Sequence, residues 1–332
     1  MPEKPPFSLE QLRQIAEAAE RLKEVLKIPE LQAQYESQIA LLERHGLLET
    51  LSSGKTGFKD IGGREQILPT LQEFSKRLSP EQKALLEKKA QQGLTKVFLV
   101  PFGRELGTDQ KGQDPQDPSN HEYHHYTGLL KTYAETLRFH HQQGTLLGTD
   151  GAKLNLDTNQ PLWVWEKYAN ADKKGKLAYF PKAFDPTNHQ GKTKAQIIQE
   201  GRAWQLVITE DLADLPSEGK GQTIQGRKQM EANLTGHEYL NLLQTDPQYQ
   251  GEQGLTPEAQ IIRALTYLEE KNQVVDDCQG QGKINWLLGA YFPEDGSVPL
   301  GRWGRDGSQA GLGGDDPGDR GSYGAALPSV MI

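Results

Sequence analysis

The side chains in this 332-residue chain that could do chemistry are eight histidines, a single cysteine and a run of aspartates near the C-terminus. His121 and His125 stand four apart, a spacing that sets two imidazoles on one face of a helix and is used to hold zinc. His124, His140 and His141 follow in the same stretch. A helix over about 122–142 carries the second pair roughly four turns from the first, too far to share an ion, so the pattern reads as a solvated, pH-sensitive helix face. Cys278 follows Asp276 and Asp277, and acidic neighbours raise a thiol's pKa, the wrong direction for a nucleophile. Nothing marks His237, the nearest base in sequence, as its partner. Asp276, Asp277, Asp315, Asp316 and Asp319 offer hard oxygen ligands of the kind calcium takes, without EF-hand spacing, and read as solvated loop acids. The segment GKGQTIQGRKQ (219–229) has basic and glycine character but no strand-to-helix setting for a phosphate loop. These patterns assign no catalytic residue, no metal site and no cofactor.

Those residues are positioned by a chain of mixed texture. Residues 8–93 read as helical. Ser8 and Gln11 fit a capping box, Leu12, Ile15, Ala16, Ala19, Leu22 and Leu26 recur at helical spacing, and Pro29 closes that helix. Ile39, Leu41 and Leu42 continue a second helix to about Leu48. The glycine-rich break at 52–63 suits a small hairpin. Ser79, Pro80 and Gln82, with Gly93 beyond, mark another helix, and LTKVFLVPF (94–102) a buried strand. Residues 103–121 are a polar Gly, Pro and Asp loop. From Pro161, strands are expected at 162–168, 176–181, 204–210 and 284–292. Helices are expected at 192–201 and 234–244, and after Thr256, where Ile261, Ile262, Leu265 and Leu268 share a face. Trp163, Trp165, Trp204, Trp286 and Trp303 sit in or beside these strands and read as core. Strands and helices interleave without regular βαβ spacing, which favours an α+β fold. Three parts are expected: a mostly helical region 1–102, a connecting segment 103–160 and a domain 161–332.

A net charge of −8 disfavours nucleic acid and acidic membranes as partners. No run approaches the roughly 18 apolar residues of a membrane span. The opening MPEKPPFSLEQ carries charges and prolines where a secretory signal has an apolar core, and one cysteine excludes an intramolecular disulfide. A cytoplasmic location is the default expectation, with a cell-surface or virion location left open.

The last 32 residues, from Gly301 to Ile332, contain nine glycines and four aspartates. Within them a skeleton of Trp303, Arg305, Gln309, Ala310, Leu312, Pro317 and Gly324 is interleaved with positions that hold only small, acidic or hydroxylated residues: Gly304, Gly307, Ser308, Gly311, Gly313, Asp315, Asp316, Asp319, Gly321 and Tyr323. The first set reads as scaffold and the second as free to vary, which is the composition of a recognition surface. Tyr323, Arg302 and Arg320 are the members best equipped for contact.

The stretch GAYFPEDGSVPLGRWGRDGSQAGLGGDDPGDRGSYGA resembles the C-terminal variable region of diversity-generating retroelement target proteins. The pieces WVWEKY, GKLAYFPKAF, QGKTKAQII, GKGQTIQGRKQMEAN, LQTDPQY, GLTPEAQ and NQVVDDCQGQG resemble an uncharacterised family of such proteins from small-genome bacteria. Ala326 and Leu327 depart from that family's usual Arg and small residue, and Ser308 from a frequent Arg. The resemblance implies a C-type-lectin-like domain, akin to formylglycine-generating enzymes. It also implies a variable region at about 301–326, rewritten at adenines by a reverse transcriptase, and a non-enzymatic role in binding an unknown protein or surface ligand. An oxidase on the same fold is the alternative, for which Cys278 lacks a cysteine partner and the domain holds only His189 and His237. A structural or adhesion protein is the third reading. The amphipathic N-terminal helices suggest self-association or attachment.

Overall fold

The computed structural model of the protein describes residues 30–107, 110–112 and 123–332. Its base is a four-stranded antiparallel sheet ordered Gln253–Gly254, Pro328–Met331, Gln205–Glu210, Leu94–Val100. Val97 lies opposite Ile208 and Leu99 opposite Leu206. All six residues of Gln205–Glu210 are buried, as in a sheet covered on both faces, and these strands carry the short apolar runs Val97–Val100 and Leu206–Ile208 rather than strict alternation. The C-terminal strand returns to the other side of Gln205–Glu210, with Val330 opposite Ile208.

Three helices contact Leu94–Val100, with Leu31–Arg44 and Pro257–Lys271 touching it most and Pro80–Gln91 least. Helix Leu31–Arg44 buries Leu31, Tyr35, Leu41 and Leu42 against the core, so its apolar face is occupied within the chain. Helix Pro257–Lys271 starts where the sequence marks it, with Thr256 as N-cap and Pro257 in the first turn, and is buried from Pro257 to Leu268. One apolar core runs from Leu31 to Val330, so residues on both sides of the expected boundaries at 102 and 160 share it.

A second sheet of five strands lies in the excursion between Gln205–Glu210 and the returning C-terminal strand, joined by Leu162–Val164 from before it. Its order is Gly324–Ala325, Ile284–Trp286, Val298–Gly304, Gln309–Asp315, Leu162–Val164. A smaller apolar cluster of Phe184, Tyr239, Leu243, Trp286, Tyr291 and Val298 joins this sheet to helix Gly236–Thr245. The class is therefore α+β, as the interleaved elements imply.

Three local expectations need correction. The histidine-rich helix begins at Gly128, not near 122, and Tyr123–His125 is a strand paired with Gln110–Gly112. The apolar run 284–292 is two short strands, Ile284–Trp286 and Ala290–Tyr291, because Gly289 packs against the backbone of Gly254 and Leu255 and its N–H bonds Leu255 O. The stretch after Gly46 holds a three-stranded sheet, Glu49–Thr50, Thr56–Lys59 and Glu65–Ile67, where a single hairpin is expected. The expected helix over Leu12 to Leu26 lies outside the described residues.

Candidate recognition surface

Val298–Gly304 and Gln309–Asp315 form a hairpin in which Trp303 faces Ala310, Gly301 faces Leu312 and Arg302 faces Gly311. Alternation along each strand sends Trp303, Ala310 and Leu312 into the core, all buried, with Trp303 1% exposed. The Trp303 N–H bonds Asp276 O at 2.9 Å, which ties the hairpin to the segment after helix Pro257–Lys271. On the outer face, Arg302, Gly311 and Trp163 form one row across three strands.

The positions expected to vary differ in exposure. Gly307, Asp315, Asp316, Asp319 and Tyr323 are exposed, and Ser308, Gly311, Gly313 and Gly321 are partly exposed. Gly304 departs from the expectation and is buried at the hairpin's end. In the skeleton, Pro317 and Gly324 are buried along with Trp303, Ala310 and Leu312, while Arg305 and Gln309 are half-buried. No contact in the structure explains Gln309 as scaffold.

The glycines separate further by the space around them. A β-carbon at Gly304, Gly307, Gly311 or Gly321 would meet first the side chain of Asp306, Gln309, Arg302 or Tyr323, at 3.1, 2.9, 3.3 and 3.1 Å. At Gly313 the first neighbour is the outer edge of Trp163, at 3.2 Å. At Gly314 it would lie 2.5 Å from the Trp165 ring, and at Gly324 2.5 Å from Trp286 Nε1, with nowhere to go. None of these glycines has a positive φ, so room rather than backbone conformation decides which can change.

Arg305, at the start of the hairpin turn, is the anchor. Its Nε lies 2.9 Å from Asp277 Oδ1 and its Nη2 2.6 Å from Asp277 Oδ2 and 2.7 Å from Asp150 Oδ1. The hydrogen bonds to Asp277 and Asp150 hold the guanidinium above arginine's ordinary value. Asp277 is fully buried and also accepts the Gly280 N–H at 3.1 Å. Asp214 accepts the Asp277 N–H at 3.0 Å, and burial, with the nearby Asp276 and Asp277 charges adding, pushes its pKa up to about 6.

Beyond the hairpin, Pro317 seats the chain on the N-terminus of helix Gly236–Thr245, where its carbonyl accepts the His237 N–H at 3.1 Å. Arg320 is exposed but committed, pairing with Glu238 and donating to Asn233 O at 2.7 Å. Tyr323 is 63% exposed and Trp163 is 39% exposed. Sequence reasoning placed Trp163 in the core; the missed signal is its position in Leu162–Val164, where the two neighbours are buried and the middle residue must point outward.

The other candidate chemistry disperses. Asp276 pairs with Arg263 at 2.8 Å and Asp277 with Arg305, whereas Asp315, Asp316 and Asp319 lie at the end of the hairpin and in the turn after it. Among the described residues no group of three His, Cys, Asp or Glu side chains is placed to hold a metal. Written out, residues 121–125 are His-Glu-Tyr-His-His, the H-E-x-x-H order of zinc proteases, but that motif needs a helix to align its histidines. Residues 123–125 are strand, and His121 lies outside the described residues. His140 is buried, its Nδ1 3.1 Å from Asn272 Oδ1. The Cys278 thiol is raised chiefly by burial, and its Sγ contacts Trp303 O at 3.3 Å. The 219–229 loop is a short hairpin whose Arg227 is buried against Glu252 and Glu210. Among the described residues no helix is long and apolar enough to cross a membrane.

Comparison with protein-family models, with curated proteins and with solved structures gives no match.

Proposed function

We propose that the protein is a non-enzymatic binding protein that displays a diversified surface on a C-type-lectin-like domain, the surface formed by the hairpin and loop of 301–326. The observation that carries this reading is the sorting of the tail glycines: Gly307, Gly311, Gly313 and Gly321 can accept side chains against flexible or outlying neighbours, while Gly314 and Gly324 are locked against indole rings and Gly304 is buried. A surface rewritten at random must tolerate almost any residue at the variable sites, and surface positions away from special contacts do so at a cost within about 0.5 kcal/mol. The return of Pro328–Met331 to the base sheet, with the tail sheet carried in the excursion it closes, supports the lectin-like architecture. Trp163 and Tyr323 supply the aromatic contact that a glycine-rich face otherwise lacks.

The test is the neighbouring DNA. The reading expects a near-identical repeat of the codons for 301–326, differing at adenines, beside a reverse transcriptase gene. A complete genome without such a repeat, or one with differences scattered over all four bases, overturns the diversification reading.

A further inference from the structure

Lys194, Asp172 and Glu258 come from three separate stretches of chain and meet with their side chains at 0% exposure. Lys194 opens helix Lys194–Gln199, Glu258 lies in the first turn of Pro257–Lys271, and Asp172 follows the short helical turn Glu166–Tyr168. Lys194 Nζ lies 2.7 Å from Asp172 Oδ2, 2.7 Å from Glu258 Oε1 and 2.9 Å from the Arg104 carbonyl. The rings of Phe102 and Tyr179 enclose it, with centroids 5.3 and 5.8 Å from Nζ. Asp172 Oδ2 accepts the Leu106 N–H at 2.8 Å and Oδ1 accepts the Lys173 N–H at 2.9 Å. Tyr179 O–H donates to Glu258 Oε1 at 2.6 Å, while Glu258 Oε2 is buried and has no hydrogen-bond partner among the described residues.

We propose that Lys194 and Asp172 condense into an intramolecular isopeptide bond, with Glu258 carrying the protons. Burial disfavours the Lys194 ammonium, but the Asp172 and Glu258 charges outweigh it and hold the amine above the ordinary lysine range. Burial likewise opposes the Asp172 charge, and Lys194 with the two N–H donors holds that carboxyl below the usual range. Lys194 and Asp172 thus rest as an ammonium and a carboxylate, and the reaction balances from that state: the two give one amide and one water. Glu258 takes a proton from Nζ and passes it to Asp172 Oδ2, and the freed amine attacks the resulting neutral carboxyl at Cγ. The Lys173 N–H stabilises the negative charge that develops on Oδ1. The bond from Cγ to Oδ2 then breaks, and Oδ2 leaves as water with two protons, both from Nζ and relayed by Glu258. Glu258 ends as it began. Exclusion of water and fixed contact favour the step, since well-oriented groups reach effective molarities of about 10⁵–10⁸ M.

A second buried lysine shows what the triad has that an ordinary ion pair lacks. Lys89 Nζ lies 2.5 Å from Glu252 Oε1, but Arg227 also holds that carboxylate, Nε at 2.8 Å from Oε1 and Nη2 at 2.7 Å from Oε2. Both oxygens of Glu252 are committed to a guanidinium that does not give up its proton. Glu210, the other carboxylate of that cluster, pairs with Arg227 rather than with Lys89. Among the described residues Lys89 has no proton carrier, and no bond is expected there.

The experiment is the intact mass of the full chain under denaturing conditions, followed by peptide mapping. The expected mass is below the sequence mass by one water, about 18 Da, and the digest contains a branched peptide joining Asp172 to Lys194. Glu258→Gln, folded by circular dichroism, should run at the unmodified mass. Wild-type protein at the full sequence mass after prolonged incubation overturns the proposal whether or not the variant folds. So does a loss mapped elsewhere, as at Asp306-Gly307, where succinimide formation also expels water. A cross-link that persists in Glu258→Gln overturns the role given to Glu258.

Discussion

The tail hairpin has two faces made from similar residues, and they obey opposite rules. On the inner side Gly314 sits under the Trp165 ring because a β-carbon would lie 2.5 Å from it, and Gly324, on the strand that closes the sheet's far edge, does the same beneath Trp286. On the outer side Gly311 faces the stem of Arg302, and Gly307 the end of Gln309, with only those flexible chains in the way. Glycine is required in the first pair and merely present in the second. Composition alone therefore says little about constraint; the packing partner of each glycine decides it.

The sharpest way to break this contrast is to attack the inner face. Trp303→Ala should cost about 3–5 kcal/mol as a large buried ring is lost, read as a fall in the denaturation midpoint at unchanged m-value. A cost below about 1 kcal/mol would mean that the hairpin is not part of the core. Arg305→Met should follow, at about 3 kcal/mol, since it leaves the fully buried Asp277 without its cation. Gly314→Ala should cost about 1–3 kcal/mol by overpacking, whereas Gly311→Ser, one face away, should shift stability by no more than about 0.5 kcal/mol. Equal costs for these two glycines would remove the distinction between the faces.

The anchor beneath the hairpin adds a pH-dependent version of the same comparison. Asp214 titrates at about 6 in the folded chain, above its ordinary value, so the folded state binds the extra proton. Stability then falls as pH rises from about 4 to about 6 and stays lower above that window. Asp214→Asn keeps an acceptor for the Asp277 N–H, and should flatten stability across that window and raise it at neutral pH by roughly 1–2 kcal/mol. A urea-denaturation series over pH tests this, and an unchanged slope in the variant would relocate the effect. A small effect of opposite sign is expected at Ser308, which has φ 49°. Ser308→Gly should stabilise by no more than about 1 kcal/mol, because relief of the left-handed strain is partly offset by greater freedom of the unfolded chain.

Much of the local structure was legible. The helix start marked by Ser79, Pro80 and Gln82 forms as its spacing implies, with Ser79 and Gln82 in a capping box, because both partners lie within one turn. The buried strands at 94–100 and 205–210 were readable from the apolar runs Val97–Val100 and Leu206–Ile208 within them. The histidine helix was misread because His124 and His125 extend a plausible helical spacing, while the strand pairing that captures them comes from Gln110–Gly112 in a segment read as loop. Trp163 was misread because an aromatic in a strand is usually core, and the parity that turns it outward is set by its pairing beside Gly311.

Sequence by itself determined the helices, the strand segments and the interleaving of two residue sets in the tail, since these depend on periodicity and capping within a few neighbouring residues. Only the tertiary structure decided which glycines have room, which charges are buried, and that Lys194, Asp172 and Glu258 share one closed site. Clearance around a β-carbon and the desolvation of an ion depend on atoms that are distant in the chain and adjacent only after folding.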